Sequence, residues 1–223
     1  MTITNATLNR LLGLDSSTFQ GIIDWNLVKA AGVQFAFLKA SEGITLQDDK
    51  FASNAKSARS VGIPYGAYHF FRPNDNVTDQ VDNFCTVVGS LQTGDLPPFL
   101  DTEDDTIWTP YTLDQRITMI TSWMSAVQTK LGVAPILYCS PDFAKNILGG
   151  RSELKQYLLF VADYINGTQP VVPAPWTDWT FWQHRPPEPK RTPWVCEKRL
   201  SKRSWRGFET RANCRTPKPA RSK

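Results

Sequence analysis

Only two histidines, His69 and His184, occur in 223 residues, too few to furnish a His-based metal centre. Cysteine is scarce as well. Cys85, Cys139, Cys196 and Cys214 follow no zinc-ligand spacing, and four in a chain of this length do not make a disulfide scaffold. Cys85 and Cys139 lie in apolar contexts and are read as buried free thiols. A Gly-x-Ser-x-Gly elbow and a phosphate-cradling glycine loop are both absent, which sets aside that class of serine hydrolase and the P-loop enzymes. The acidic run from Asp101 to Asp105 lacks the spacing and glycine of an EF-hand, so no metal and no cofactor is expected. No apolar run has the length of a transmembrane helix. Met1 to Leu14 lacks the basic and apolar stretches of a secretory signal, so work outside a cell would require another export route or lysis.

Acidic residues are missing from one region in particular. Residues 185–223 hold 13 of the 25 Lys and Arg but 3 of the 21 acids and no Asp, a net charge of +10. Residues 1–184 are therefore −6, although the whole chain is +4. A mildly acidic body does not suit nucleic acid, whose binders line a folded face with basic groups. Apolar residues are plentiful: 41% of the chain is hydrophobic, enough for a substantial core, with eight Trp, six Tyr and twelve Phe. Aromatics mainly fill cores, and sugar rings also stack on their flat faces. The length suits one domain, or one domain with a tail, and a monomer is expected.

Short β-rich runs alternate with helical stretches. Strands are expected at Gly13 to Asp15, Gln34 to Lys39, Tyr65 to Phe71, Pro98 to Glu103, Pro135 to Cys139, Tyr157 to Tyr164 and Thr180 to Gln183. Asp24 can cap a helix from Trp25 to Ala31, stopped by Gly32. Further helices are read at Phe51 to Val61, Val77 to Leu91, Thr112 to Leu131 and Asp142 to Leu148. In the long one, Leu113, Ile117, Ile120, Trp123, Met124 and Val127 recur at helical spacing, a core stripe. Such alternation implies right-handed βαβ units around a parallel sheet, closed as a barrel with reactive groups at the C-terminal strand ends. Asp15, Glu42, His69, Asp101, Glu103, Ser140 and Asp163 all fall at or just beyond strand ends. His69, between two aromatics, is read as a hydrogen-bonded structural histidine.

Asp101 and Glu103 stand two apart on an expected strand, so their side chains share a face with Cα atoms roughly 6.5 Å apart. Two acids this close repel when both ionise, and one tends to keep its proton near neutral pH. Glycoside hydrolysis needs that pairing: a protonated acid for the leaving oxygen beside an anion for developing positive charge. Glu103 has the longer reach and is the candidate acid; Asp101 would orient substrate or stabilise charge. An ordinary acidic loop is the competing reading, since Asp104 and Asp105 follow directly. Against it, Leu96 to Leu100 is apolar and would drive the strand into the core, delivering the acids at its end.

Several segments together resemble glycoside hydrolase family 25, the Chalaropsis-type muramidases. They are Gly13 to Gly21 with Ile23-Asp24-Trp25; Phe35 to Gly43, then Asp48 and Phe51; Gly66 to Pro73; and Leu96 to Glu103. Weaker matches are Pro135 to Tyr138 and Trp179 to Gln183, so the likeness covers about residues 12–184. Ser16 stands where the family usually has an aliphatic residue. The resemblance implies an α/β fold, a flattened TIM-like (β/α) barrel of eight strands with fewer than eight helices. It implies a lysozyme acting at the bacterial cell wall, cleaving the β-1,4 bond between N-acetylmuramic acid and N-acetylglucosamine in peptidoglycan. Glu103 would be the acid, with Asp101 and Asp15 as the other floor carboxylates, and Lys39, Glu42, Tyr68, Tyr138 and Trp182 would line the cleft. Two routes stay open, one assisted by the substrate's N-acetyl oxygen and one inverting through water.

After Gln183 the family pattern stops, so residues 1–184 are read as the catalytic barrel and residues 185–223 as a basic, Pro-rich tail. The family's last strand normally carries a fourth carboxylate, an Asp, and this segment has none; the last strand is therefore in doubt. The tail fits a basic wall-binding segment, a low-complexity linker, or a slip of reading frame near His184. The abrupt change of composition favours the last. A non-catalytic or impaired wall-binding module with the same cleft is kept as the second reading, and a barrel hydrolase of chitin-like glycans as the third.

Overall fold

The computed structural model describes residues 10–165 and 167–184 in full and residues 195–199 as backbone. Nine strands occur among them: β1 (Arg10–Ser16), β2 (Phe35–Glu42), β3 (Leu46–Gln47), β4 (Tyr65–Phe70), β5 (Phe99–Asp101), β6 (Ile136–Cys139), β7 (Leu159–Ala162), β8 (Phe181–His184) and β9 (Val195–Arg199). Six α-helices lie between them: α1 (Trp25–Ala30), α2 (Phe51–Ser60), α3 (Val77–Val88), α4 (Asp105–Trp108), α5 (Leu113–Leu131) and α6 (Pro141–Asn146). The pairings run β1-β9-β8-β7-β6-β5-β4-β2, and β1 also pairs with β2, so eight strands form a ring with β3 folded back outside it. From β1 through β2, β4, β5, β6 and β7 to β8 every ring pairing is parallel. This is the expected α/β barrel with fewer than eight helices.

The slot of the last strand, in doubt from the sequence, is taken by β9, which runs antiparallel to both β8 and β1. It comes from the basic segment, and its residues Val-Cys-Glu-Lys-Arg include no Asp. The other readings made of residues 185–194 and 200–223 lie outside the described residues, as does Cys214. Of the cysteines read as buried thiols, Cys139 is buried, while Cys85 is half-exposed on α3.

Side chains alternate across a strand, so each ring strand has an inward and an outward set. The inward set is aromatic. Phe35, Phe37, Phe99, Tyr138, Phe160 and Phe181 form one cluster with Ile136 and Ala162. Phe37 meets Phe99 and Phe181 edge-on, each at 5.0 Å between ring centroids. Glycines make room for these rings: a Cβ on Gly13 would lie 2.2 Å from Phe35, and one on Gly66 would lie 2.6 Å from Phe37. The outward set, including Ala36, Leu38, Leu100, Leu137, Leu159 and Val161, packs against the helices in a second cluster. There α5 contributes Ile117, Ile120, Trp123, Met124 and Val127 of the expected stripe, all buried, while Leu113 is partly buried against the same cluster. Burying one such side chain stabilises the fold by roughly 1.5–3 kcal/mol. A truncation such as Phe37→Ala at the centre of the ring should cost about 3–5 kcal/mol.

Helix ends follow local chemistry. Asp24 accepts from the N–H groups of Asn26 and Leu27 and starts α1. Thr112 and Gln115 form a capping box for α5, and Gly132 ends it in the left-handed conformation. Helix α3 stops at Val88, before the expected Leu91, because Gly89 takes φ 64° and turns the chain. No helix among the described residues is long and apolar enough to cross a membrane.

Candidate active site

At the C-terminal ends of the ring strands lies a cleft of about 720 Å³. Asp15, Lys39, Glu42, Tyr68, Asp101, Glu103 and Tyr138 all line it. Its floor is a stack: Tyr68 lies over Phe99 at 4.6 Å and an interplanar angle of 4°, and Phe99 lies against Tyr138 at 5.3 Å. Burial first, then nearby carboxylates, pushes both tyrosines well above the ordinary phenol range, so they stay protonated.

Asp101 ends β5, but Glu103 does not lie on a strand, contrary to the expected run from Pro98 to Glu103. Its position has three local supports. The Thr102 hydroxyl donates to the Tyr138 carbonyl at 2.9 Å. The Glu103 N–H donates to Asp101 Oδ1 at 3.2 Å. Asp104 then takes φ 79°, the non-glycine residue with positive φ among those described, a conformation Asp tolerates better than most. The turn carries the chain into α4 and leaves Glu103 at the rim. Asp101 is 5% exposed, and burial, then the neighbouring Glu103, raises its pKa well above the usual carboxylate range. Glu103 is exposed as a residue, yet the walls around its carboxyl desolvate it enough to raise its pKa too, against the lowering pull of Tyr138 and Lys39. Two carboxyls, both raised in pKa, one buried and one at the rim, thus sit side by side at an open cleft.

The cationic wall is different. Lys39 Nζ lies 2.5 Å from Glu42 Oε2, and Arg72 Nε donates to Glu42 Oε1 at 2.9 Å. Although burial acts to raise it, these two cations bring the Glu42 pKa below its ordinary value. Beyond Glu42 a second groove of about 550 Å³ continues past Arg72 to Ile107 and Tyr111.

Trp182 is not in the cleft. It alternates with Phe181 and Gln183 on β8, points outward to the helix-side cluster, and donates its Nε1–H to the Asp163 carbonyl at 2.8 Å. That corrects its expected substrate-lining role: the parity of the strand gives the cleft position to Gln183. Gln183 Nε2 donates to Asp15 Oδ2 at 2.8 Å, and its Oε1 accepts from Tyr138 at 2.8 Å and from Tyr164. Sequence reading also passed over Tyr164, Arg72 and Phe19. Phe19 is 86% exposed on the cleft wall, presented by a 3-10 turn that Ser17 and Gln20 cap reciprocally. An exposed aromatic in a tight turn has no periodicity to mark it, but Gln183 was detectable as the polar partner of Phe181 at period two.

His69, Ser140 and Asp163, also at strand ends, serve the scaffold. His69 is fully buried on the outward face, bonded to Ser41 at 2.9 Å and Gln80 at 3.1 Å, and stacked on Trp123. These bonds fit the expected hydrogen-bonded structural histidine, and burial lowers its pKa to about 4. Ser140 caps α6, and Asp163 accepts from the Val171 N–H at 2.8 Å. Among the described residues, no group of three or more His, Cys, Asp or Glu is arranged to hold a metal.

The family model for glycosyl hydrolases family 25 matches residues 14–189. The chain belongs to that family. Lysozyme M1 of Streptomyces globisporus is 32% identical over 189 residues, covering 82% of this chain and 64% of that protein. The family 25 chain therefore spans less than two thirds of that relative's length. The bacterial lysozyme of Streptomyces coelicolor superposes with a TM-score of 0.78 at 29% identity, covering 86% of this chain and 92% of that one. A family GH25 lysozyme from Aspergillus fumigatus, 24% identical, shares the fold with a TM-score of 0.81 over 89% of this chain and 98% of its own.

Proposed function

We propose that this family 25 chain is a lysozyme that hydrolyses the β-1,4 bond between N-acetylmuramic acid and N-acetylglucosamine in peptidoglycan, working outside the cell at the bacterial wall. The observation that carries the reading is the pair of Asp101 and Glu103, both raised in pKa, one beneath the cleft and one at its rim. Relatives named as lysozymes support the substrate class.

In this reading Glu103 is the general acid. It protonates the glycosidic oxygen as the C–O bond breaks, and the bonding electrons leave with that oxygen. Asp101 and Asp15 stabilise the positive charge that develops on the sugar. Glu103 then recovers a proton when water adds to the sugar. The raised pKa suits the task because the acid must still be protonated at the working pH. Lys39, Glu42, Tyr68 and Tyr138 contact the glycan from the walls and floor.

Purified bacterial walls incubated with the protein should lose turbidity while reducing ends appear. Glu103→Gln should lower that rate by on the order of 10³-fold with the circular dichroism spectrum unchanged. Co-sedimentation with walls and no new reducing ends would instead sink the catalytic reading, and an active Glu103→Gln would remove Glu103 from its role.

A further inference from the structure

A chain of hydrogen bonds joins Asp15 to Glu103 across the cleft, and the number of protons each member can give settles its direction. Asp15 Oδ2 accepts from Gln183 Nε2 at 2.8 Å, so the amide turns its NH₂ toward Asp15. The other end of that amide is then a carbonyl oxygen, which also only accepts. Tyr138, 2.8 Å away, and Tyr164 must both donate to it. The Tyr138 hydroxyl lies within donating reach of Gln183 Oε1 at 2.8 Å and of Glu103 Oε2 at 3.3 Å, but it has one proton, and the shorter contact takes it. A hydrogen bond across that last gap needs its proton from Glu103. We propose that Gln183 is a positioning residue that fixes the polarity of the Tyr138–Glu103 contact, keeping the shared proton on Glu103 in the resting enzyme.

The amide suits this role because it cannot pass a proton along without turning over, and its contacts at both ends oppose the turn. A water or a hydroxyl in its place would let the direction reverse. When Glu103 gives its proton to the leaving oxygen it becomes an anion. The Tyr138 hydroxyl can then rotate to donate to it, while Tyr164 keeps a proton on Gln183 Oε1. Tyr138 would thus stabilise the carboxylate after transfer and not before it. The proton released by the incoming water returns to Glu103, and the chain resets with no net change. Other charged or titratable groups face Glu103: Lys39 from β2, Tyr68 from β4, Asp101 from the end of β5, and Asp104 beside it. None of these four makes a hydrogen bond to Gln183.

The inference rests on Glu103 being the acid, and its test separates the two claims. The upper limb of the kcat/KM profile against pH reports loss of the acid's proton. In Gln183→Met, Tyr138 is released to donate to Glu103, so the upper limb should move down by about one pH unit, with kcat at neutral pH falling about tenfold and KM nearly unchanged. In a Tyr138→Phe background the same substitution should leave the limb where Tyr138→Phe alone puts it. Tyr164→Phe, at a 44% exposed position, tests the chain without disturbing the core. It removes a competitor for Gln183 Oε1, so the limb should hold or rise. An unmoved limb in Gln183→Met, an equal shift with Tyr138 absent, a rise in KM alone, or a fall in Tyr164→Phe would each overturn the inference. If Glu103→Gln is inactive and any of these occurs, the acid assignment stands and this inference fails. Should Gln183→Met not fold, the Tyr164→Phe profile decides.

Discussion

Glu42 and Glu103 line the same cleft, yet they are driven in opposite directions. Glu42 is held between Lys39 and Arg72 and is more acidic than an ordinary glutamate. Glu103 has the Tyr138 phenol as its side-chain partner and is less acidic than an ordinary glutamate. Burial raises both and is deeper at Glu103; what turns Glu42 the other way is direct contact with two cations. The same residue type is thus tuned in opposite directions by what the fold places beside it: two cations at Glu42, desolvating walls and a phenol at Glu103.

The comparison can be broken at several points. After Glu103 itself, the largest effect is expected at Asp101, whose pKa is raised by burial and by the neighbouring Glu103. Asp101→Asn keeps an oxygen for the Glu103 N–H but removes the charge, and should lower turnover by roughly 10²–10³-fold. The same change should raise the thermal midpoint at pH 7. The folded pKa of Asp101 is raised, so its contribution to stability is present below the unfolded value near 3.8 and is lost as pH rises through the folded pKa. The gain from Asn should therefore shrink as denaturation is measured nearer pH 3; an equal gain at both pH values would contradict the raised pKa.

His69 shows burial acting with no opposing ion pair, and its effect falls on stability. Its folded pKa of about 4 lies below the ordinary histidine value of 6.5, so stability is intact above pH 6.5 and is lost as pH falls toward 4. The span corresponds to about 3 kcal/mol. His69→Gln should flatten the urea midpoint across that window while leaving activity at pH 7 within about twofold. A smaller effect is expected at Lys39, which lowers the pKa of Asp101, Glu103 and Glu42 alike. Lys39→Met should move both limbs of the pH profile upward, by at most about one unit. The smallest is Arg72→Met: Glu42 keeps Lys39, so KM should rise less than about fivefold with the pH profile in place. A profile displaced as far by Arg72→Met as by Lys39→Met would show that the cationic wall reaches the acid as a whole.

Much of the barrel was readable in the chain. The strand–helix alternation, the Asp24 and Thr112 caps and the α5 stripe are local features, and each appears where its residues predict it. Strand length was less readable. Pro98 to Glu103 reads as one extended run, but the Thr102 contact with a neighbouring strand and the left-handed Asp104 end it at Asp101. Trp182 went astray for a related reason. A large aromatic beside expected site residues invites a sugar-stacking role, whereas strand parity sends it to the helices and turns Gln183 inward.

The sequence by itself determined that Asp101 and Glu103 would arrive together at the end of a buried run, because covalent spacing and an apolar lead-in are properties of the chain. It determined the helices for the same reason. Tertiary structure decided which carboxyls are raised in pKa and which lowered, since Lys39, Arg72 and Tyr138 come from three separate segments. It also decided how the ring closes: β9 pairs with β1, the start of the described chain, through backbone hydrogen bonds that require no matching side-chain pattern. Charge sign is written in the residues, but charge environment depends on distance, and only the fold sets those distances.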